Sequence, residues 1–112
     1  MDCLFCKIVA GNIPSQKVYE DESVLAFYDI EPQAPVHVLI IPKKHISSVA
    51  ELTEEDASTV AHIFTVAAKL SRELHLDGGF RIVTNSGKNG AQSVKHLHFH
   101  LLGGRQLTGL MG

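Results

Sequence analysis

Gln92-Ser93-Val94-Lys95-His96-Leu97-His98-Phe99-His100-Leu101-Leu102 sets a histidine at every second position, with Leu97, Phe99 and Leu101 between and after them. Strict alternation is the period of a half-buried β-strand, so the imidazoles are expected on one face and the apolar side chains on the other. A strand rises about 3.3 Å per residue, which puts neighbouring histidines about 6.6 Å apart and the outer two about 13 Å apart. That row is too long for all three to serve one metal, and it suits a substrate with several anionic oxygens.

Outward from this stretch, Ser86-Gly87-Lys88-Asn89-Gly90-Ala91-Gln92 reads as a glycine-containing loop, and Phe80-Arg81-Ile82-Val83-Thr84-Asn85 before it as a strand. Thr53 is a good N-cap, followed by Glu54, Glu55 and Asp56, where a helix dipole favours negative charge. Val60, Ile63, Phe64, Ala67, Leu70 and Leu74 then recur at helical spacing. The expectation is one long helix over approximately 54–75, with Gly78-Gly79 as its C-cap and with His62 and His75 on its surface. His37-Val38-Leu39-Ile40-Ile41 is nearly all apolar and is expected as a central strand ended by Pro42. Val18-Tyr19 and Val24–Tyr28 read as two strands around an acidic turn, and residues 4–10 as a short helix or turn. Strands, a helix and further strands on short loops predict an α+β domain: an antiparallel sheet of about five strands backed by the helix. At 112 residues the chain is expected to be a single domain spanning 1–112.

Composition narrows the function classes. The formal net charge is -2 and no basic run exceeds Lys43-Lys44, so charge gives no support for a nucleic-acid polymer or an anionic membrane as partner. Met1-Asp2-Cys3-Leu4 has no basic segment leading into an apolar run, and no stretch is suited to span a bilayer, so a cytoplasmic location is expected. The two cysteines form one C-x-x-C, Cys3 and Cys6. In a reducing compartment such a pair favours metal thiolates over a disulfide.

For His96, His98 and His100 three readings stand side by side: a solvated polar face, metal binding by i, i+2 imidazoles, and chemistry on phosphate. A metal on this face would want an acidic ligand soon after, and none follows before Gly112. Imidazole, with an ordinary pKa near 6.5, is largely neutral at pH 7 and attacks phosphorus without prior activation. Ser93 and the backbone N–H groups of 86–92 offer anion-holding donors, and no acidic cluster for Mg2+ lies near the strand.

His96-Leu97-His98-Phe99-His100-Leu101-Leu102 resembles the H-φ-H-φ-H-φ-φ signature of the histidine triad (HIT) superfamily, and more closely its nucleoside phosphoramidate hydrolase branch, the histidine triad nucleotide-binding proteins. The likeness extends over Ile13-Pro14, Asp29-Ile30, Pro32-Gln33-Ala34-Pro35, Ile41-Pro42-Lys43-Lys44-His45-Ile46, Gln92-Ser93-Val94 and Leu102-Gly103-Gly104-Arg105. The resemblance implies that His98 is the nucleophile that takes a nucleotidyl group from a purine nucleoside 5′-phosphoramidate, before water releases AMP, with no Mg2+ required. It implies that His100 contacts the phosphate and bridging atom, that His37 is the upstream fourth histidine, and that Ser93 bonds the bridging atom or leaving group. Asn85 matches a phosphate-side or leaving-group contact, Ala91 and Gln92 fall among the nucleotide-binding positions, and Asp29 matches the acid on the ribose hydroxyls. Leu4, Phe5, Ile8, Phe27, Ile30 and Leu39 match the walls around the base. Cys3, Cys6, His45 and His96 match a structural zinc site of Cys2His2 type, one ion per chain. The same resemblance implies a homodimer with the sheet continued across two subunits. Two departures stand out: Ala91 replaces a common glycine, and the tail 106–112 lacks the tryptophan of some members. Other readings are a dinucleoside polyphosphate hydrolase or nucleotidyl transferase of the same superfamily, and a zinc-stabilised nucleotide-binding interaction module with incidental activity.

Overall fold

A computed structural model describes residues 3–112, so the N-terminal reading of Met1 and Asp2 lies outside the described part. Helix α1 (Leu4–Val9) precedes strands β1 (Lys17–Glu20), β2 (Val24–Tyr28) and β3 (Val36–Pro42). Two single 3-10 turns, Val49–Glu51 and Glu54–Asp56, lead into helix α2 (Ala57–Glu73), then β4 (Phe80–Val83) and β5 (Phe99–Gly103). The strands form one five-stranded antiparallel sheet in the order β1-β2-β3-β5-β4. The apolar run of β3 is therefore central, as its composition predicts.

Both faces of the sheet are covered. Val24, Ala26, Val38, Ile40, Phe99 and Leu101 alternate onto one face and pack under Ile63, Val66, Ala67 and Leu70 of α2. Leu25, Phe27, Leu39 and Ile41 point the other way, against Cys3, Phe5 and Ile8 of the α1 segment. Directly paired residues share a face, and the register sets Leu39 opposite His100 and His37 opposite Leu102. His37 and His100 thus stand on the α1 side, beyond the part that the short helix covers.

Three local expectations are corrected. The ladder of β5 begins only at Phe99; His96 and His98 precede it in irregular backbone. Pro42 ends β3, and the next segment captures the incoming chain instead, with Leu97 N–H donating to Ile46 O at 2.6 Å. The long helix starts three residues late, because Glu54–Asp56 is a 3-10 turn in which Asp56 accepts the Thr53 N–H at 3.1 Å. Its C-cap is Leu74, and the left-handed residue that closes the helix after it is His75 rather than Gly78 or Gly79. His75 takes φ +60°, its N–H donates to Arg72 O at 3.2 Å, and the Leu76 N–H donates to Ser71 O at 2.8 Å. That is the Schellman pattern, with Leu76 buried as its apolar anchor. His75 is exposed, whereas His62 is partly buried against Asp21, Nε2 to Oδ2 2.5 Å.

Among the described residues, no helix is long and apolar enough to cross a membrane.

Candidate functional site

The three alternating histidines do fall on one side, and they are not solvated. His96 is fully buried, His98 is 2% exposed and His100 is half-buried, while Leu97, Phe99 and Leu101 fill the core beneath α2. The environment of each ring is different, and hydrogen bonding assigns the protons.

His96 donates Nε2–H to Pro42 O at 2.8 Å, because a carbonyl can only accept. In the neutral ring Nδ1 then carries a lone pair, and burial holds this imidazole below its ordinary pKa. Nδ1 lies 3.3 Å from Cys3 Sγ, 3.5 Å from Cys6 Sγ and 3.3 Å from His45 Nδ1, while Cys6 Sγ is 3.3 Å from His45 Nδ1. With metal–sulfur bonds of about 2.3 Å and metal–nitrogen bonds of about 2.05 Å, tetrahedral edges are about 3.3 Å between nitrogens and about 3.6 Å between nitrogen and sulfur. The four observed spacings fall on or just inside those edges, and all four ligand atoms lie within 4.8 Å of one another. Burial, with Cys3 beside it, pushes the Cys6 thiol up to about 11, so a cation is what would make this pair thiolates. The donor set, its lone pairs and its closure fit a four-coordinate structural ion with no open position. Sequence elements from three places meet here: the α1 cap, the segment after β3 and the approach to β5.

His98 donates Nδ1–H to the His96 carbonyl at 2.7 Å, and its own carbonyl accepts the Thr84 hydroxyl at 2.8 Å. In the neutral ring this leaves a lone pair on Nε2. The Phe5 ring meets it edge-on, centroids 5.2 Å apart, and also touches His96 and Phe27. One phenyl ring therefore separates the cysteine–histidine centre from the cleft.

That cleft has a volume of about 990 Å³, enough for a mononucleotide. His98, His100, His37, Asp29 and Ser93 line it together with Leu4, Phe5, Ile8, Phe27, Ile30 and Leu39. Polar and apolar side chains share the lining: the Phe5 ring meets His98, and Leu39 pairs with His100. Ala91 also lines it, with φ +60°, a backbone conformation that glycine adopts without strain. His37 Nε2 lies 2.9 Å from His100 Nδ1 and 3.4 Å from Asp29 Oδ2, and His37 Nδ1 accepts the Gln33 N–H at 3.0 Å. Burial, with His98 and His37 alongside, lowers His100 to about 4, so this ring is neutral at pH 7.

Two of the sequence-predicted contacts are not in the cleft wall. Asn85 donates from Nδ2 to Gly90 O at 2.7 Å. Gln92 donates from Nε2 to Ser47 O and Val94 O and accepts the Gly87 N–H on Oε1. Both side chains brace the loop that presents Ala91 and Ser93. Other lining residues carried no sequence signal for the site: Ser15, Gln16, Tyr28 and Glu31. Nor did Thr84 or the Pro42 carbonyl, whose roles depend on partners more than a dozen residues away.

The HIT domain family model matches residues 10–107. The chain is 50% identical to a HIT family hydrolase from Legionella pneumophila Philadelphia 1, whose crystal structure superposes with a TM-score of 0.95 over 96% of this chain and 97% of that one. It is 48% identical to a histidine triad protein from Clostridium difficile, again with a TM-score of 0.95, over 99% of this chain and 97% of that one. An uncharacterized HIT-like protein of Synechococcus elongatus is 45% identical over 107 residues, 96% of this chain and 94% of its own length. The chain belongs to the HIT domain family.

Proposed function

We propose that this member of the HIT domain family hydrolyses purine nucleoside 5′-phosphoramidates, of the AMP-amine or AMP-lysine type, through a nucleotidyl intermediate on His98. The observation that carries the proposal is the pinned ring of His98. Its Nδ1–H is held on the His96 carbonyl at 2.7 Å, which keeps the Nε2 lone pair available in a cleft whose lining includes apolar side chains suited to a base. Asp29 is at the position to take the ribose hydroxyls, and its Oδ1 is already oriented by the Glu31 N–H at 2.8 Å.

Nε2 attacks the α-phosphorus as the P–N pair departs with the amine, which takes up a proton from solvent at the cleft mouth. Ser93 stands beside the departing group and His100 beside the phosphate oxygens. Phosphorylated at Nε2, His98 is an imidazolium that still donates Nδ1–H to the same carbonyl. Water then displaces it, AMP leaves, and the ring returns to its starting state. Nothing in this sequence calls on Mg2+.

Zinc is the ion that the Cys2His2 set of Cys3, Cys6, His45 and His96 favours; it would stabilise the fold and pin His96 without touching substrate. The β4 edge supports the homodimer: it is an unpaired sheet margin in this chain, with Phe80 and Phe64 both exposed. A cytoplasmic site of action fits the thiol state of both cysteines.

The test is release of AMP from an adenosine phosphoramidate in buffer without added divalent ion, in competition with a diadenosine polyphosphate. The proposal expects preference for the phosphoramidate and loss of turnover in His98→Ala. Preference for the polyphosphate would move the chain to the other hydrolase class, and an undiminished rate in His98→Ala would refute the mechanism. Tight AMP binding with negligible turnover would make it a binding module.

A further inference from the structure

The donor that decides the state of His100 is a backbone N–H, that of Gln33 in the Pro32-Gln33-Ala34-Pro35 loop at the cleft wall. A peptide N–H has no lone pair to offer, so the Gln33 amide acts only as a donor, and the atom it meets at 3.0 Å is His37 Nδ1. That nitrogen must carry a lone pair. His37 is almost completely buried, and burial holds it below its ordinary pKa, so the ring has one proton and it sits on Nε2. Nε2 faces His100 Nδ1 at 2.9 Å, with Asp29 Oδ2 farther away at 3.4 Å. If His100 Nδ1 accepts, the single proton of His100 sits on its own Nε2, the nitrogen left for the cleft.

We propose that His37 is a positioning residue that passes the fixed polarity of the Gln33 amide to His100, so that His100 presents an N–H donor, and not a lone pair, to the bound ligand. The relay has two links, Gln33 N–H to His37 and His37 Nε2–H to His100. It makes the two cleft histidines opposite in kind although their ring centroids are only 5.0 Å apart. His98 offers an unprotonated Nε2, and His100 a protonated one. A phosphate oxygen or bridging atom is matched by the second and repelled by a lone pair in its place. The benefit to hydrolysis rests on the phosphoramidase reading; the proton positions do not.

The relay also answers a question raised by geometry. Asp29, His37 and His100 place an oxygen and two nitrogens within 4.8 Å, a set of the kind that holds open-site metals. A metal on His37 Nε2 would need the ring proton on Nδ1, set against the Gln33 N–H, donor against donor. The cluster is therefore reserved for a proton.

Long-range proton–nitrogen NMR of imidazole-labelled protein near pH 7 reads these positions directly. The expected pattern has bare Nδ1 and protonated Nε2 on both His37 and His100. In His37→Leu the Nδ1–H form of His100 should appear and AMP should bind about ten-fold more weakly, the worth of one hydrogen bond. In His37→Gln, whose amide nitrogen reaches the place of ring Nε2, the His100 pattern and the affinity should return to within about three-fold of wild type. Titration of the native chain with Co2+ should show a single site per chain, that of the cysteines. A protonated His37 Nδ1 in the wild-type spectrum, an unchanged His100 in a folded His37→Leu, or a second Co2+ abolished by His37→Leu would each overturn the relay. None of these readouts needs turnover, so a failure of the hydrolase reading would be seen separately in the AMP-release assay.

Discussion

Replacing Cys6 with serine removes one ligand of the Cys2His2 centre while changing side-chain volume little, and the apolar cluster of Phe5, Ile8, Leu25 and Phe27 beneath it is left intact. The loss is then chiefly that of the ion. A ligand held at 100 to 1,000 times its dissociation constant stabilises the native state by about 2.7 to 4.1 kcal/mol. For a chain of this size one kcal/mol moves the melting temperature by roughly 4 °C, so Cys6→Ser should melt about 10 to 16 °C lower. Chelator should lower the wild type by a similar amount and leave Cys6→Ser unmoved. The effect on the cleft should be smaller, because His96 keeps its Nε2–H bond to Pro42 O and the Leu97 N–H keeps Ile46 O. His98 therefore retains its carbonyl partner, and turnover at 25 °C should fall by no more than about ten-fold, the equivalent of one hydrogen bond. Calorimetry with and without chelator, paired with metal analysis of the purified protein, reads both quantities. A melting temperature indifferent to chelator and to Cys6→Ser alike would refute the metal-centre argument.

Other consequences follow from single residues. His75→Gly, at an exposed position with φ +60°, should raise stability by about 0.5 to 1 kcal/mol without altering turnover, since glycine adopts that conformation without strain; a lower denaturation midpoint would contradict the cap assignment. His100 is lowered to about 4 from 6.5, so between those values the unfolded chain binds a proton that the folded ring refuses. Its contribution to stability is whole above pH 6.5 and is lost as pH falls towards 4. Urea midpoints of wild type should thus fall more steeply from pH 7 to 4 than those of His100→Gln, and parallel curves would contradict the buried neutral ring. Gln92→Glu removes both side-chain donors and sets a carboxylate against Ser47 O and Val94 O. It should cost about 1 to 3 kcal/mol and speed hydrogen exchange across residues 86–92, and unchanged exchange would show that Gln92 braces nothing.

The alternation of His96–Leu102 carried the sidedness of the site, and the helical spacing from Val60 to Leu70 carried the core. Both depend only on local period, which is why they were legible in the sequence. What period cannot give is where a ladder stops. Phe99, and not His96, opens β5 because Pro42 has no N–H to extend the ladder and Ile46 O takes the Leu97 N–H. The helix closure at His75 was hidden for a similar reason. Two glycines three residues on are the stronger local signal, but burial of Leu76 fixes the turn earlier. Resemblance gave Asn85 and Gln92 a nucleotide-side role; their side chains bond Gly90 O in the one case, and Ser47 O, Val94 O and the Gly87 N–H in the other, which no local pattern announces. The distinct states of the three histidines are likewise long-range facts, set by Pro42 O, His96 O and the Gln33 N–H.

The central claim is that His98 Nε2 becomes bonded to phosphorus. The most direct measurement is the intact mass of the protein quenched within a turnover of an adenosine phosphoramidate, followed by mapping of the modified residue. An added adenylyl group is expected on His98, absent from His98→Ala and lost on standing as AMP appears. Substrate consumed at the wild-type rate with no adduct on any histidine, or an adduct that forms on His100 and persists in His98→Ala, would contradict the claim.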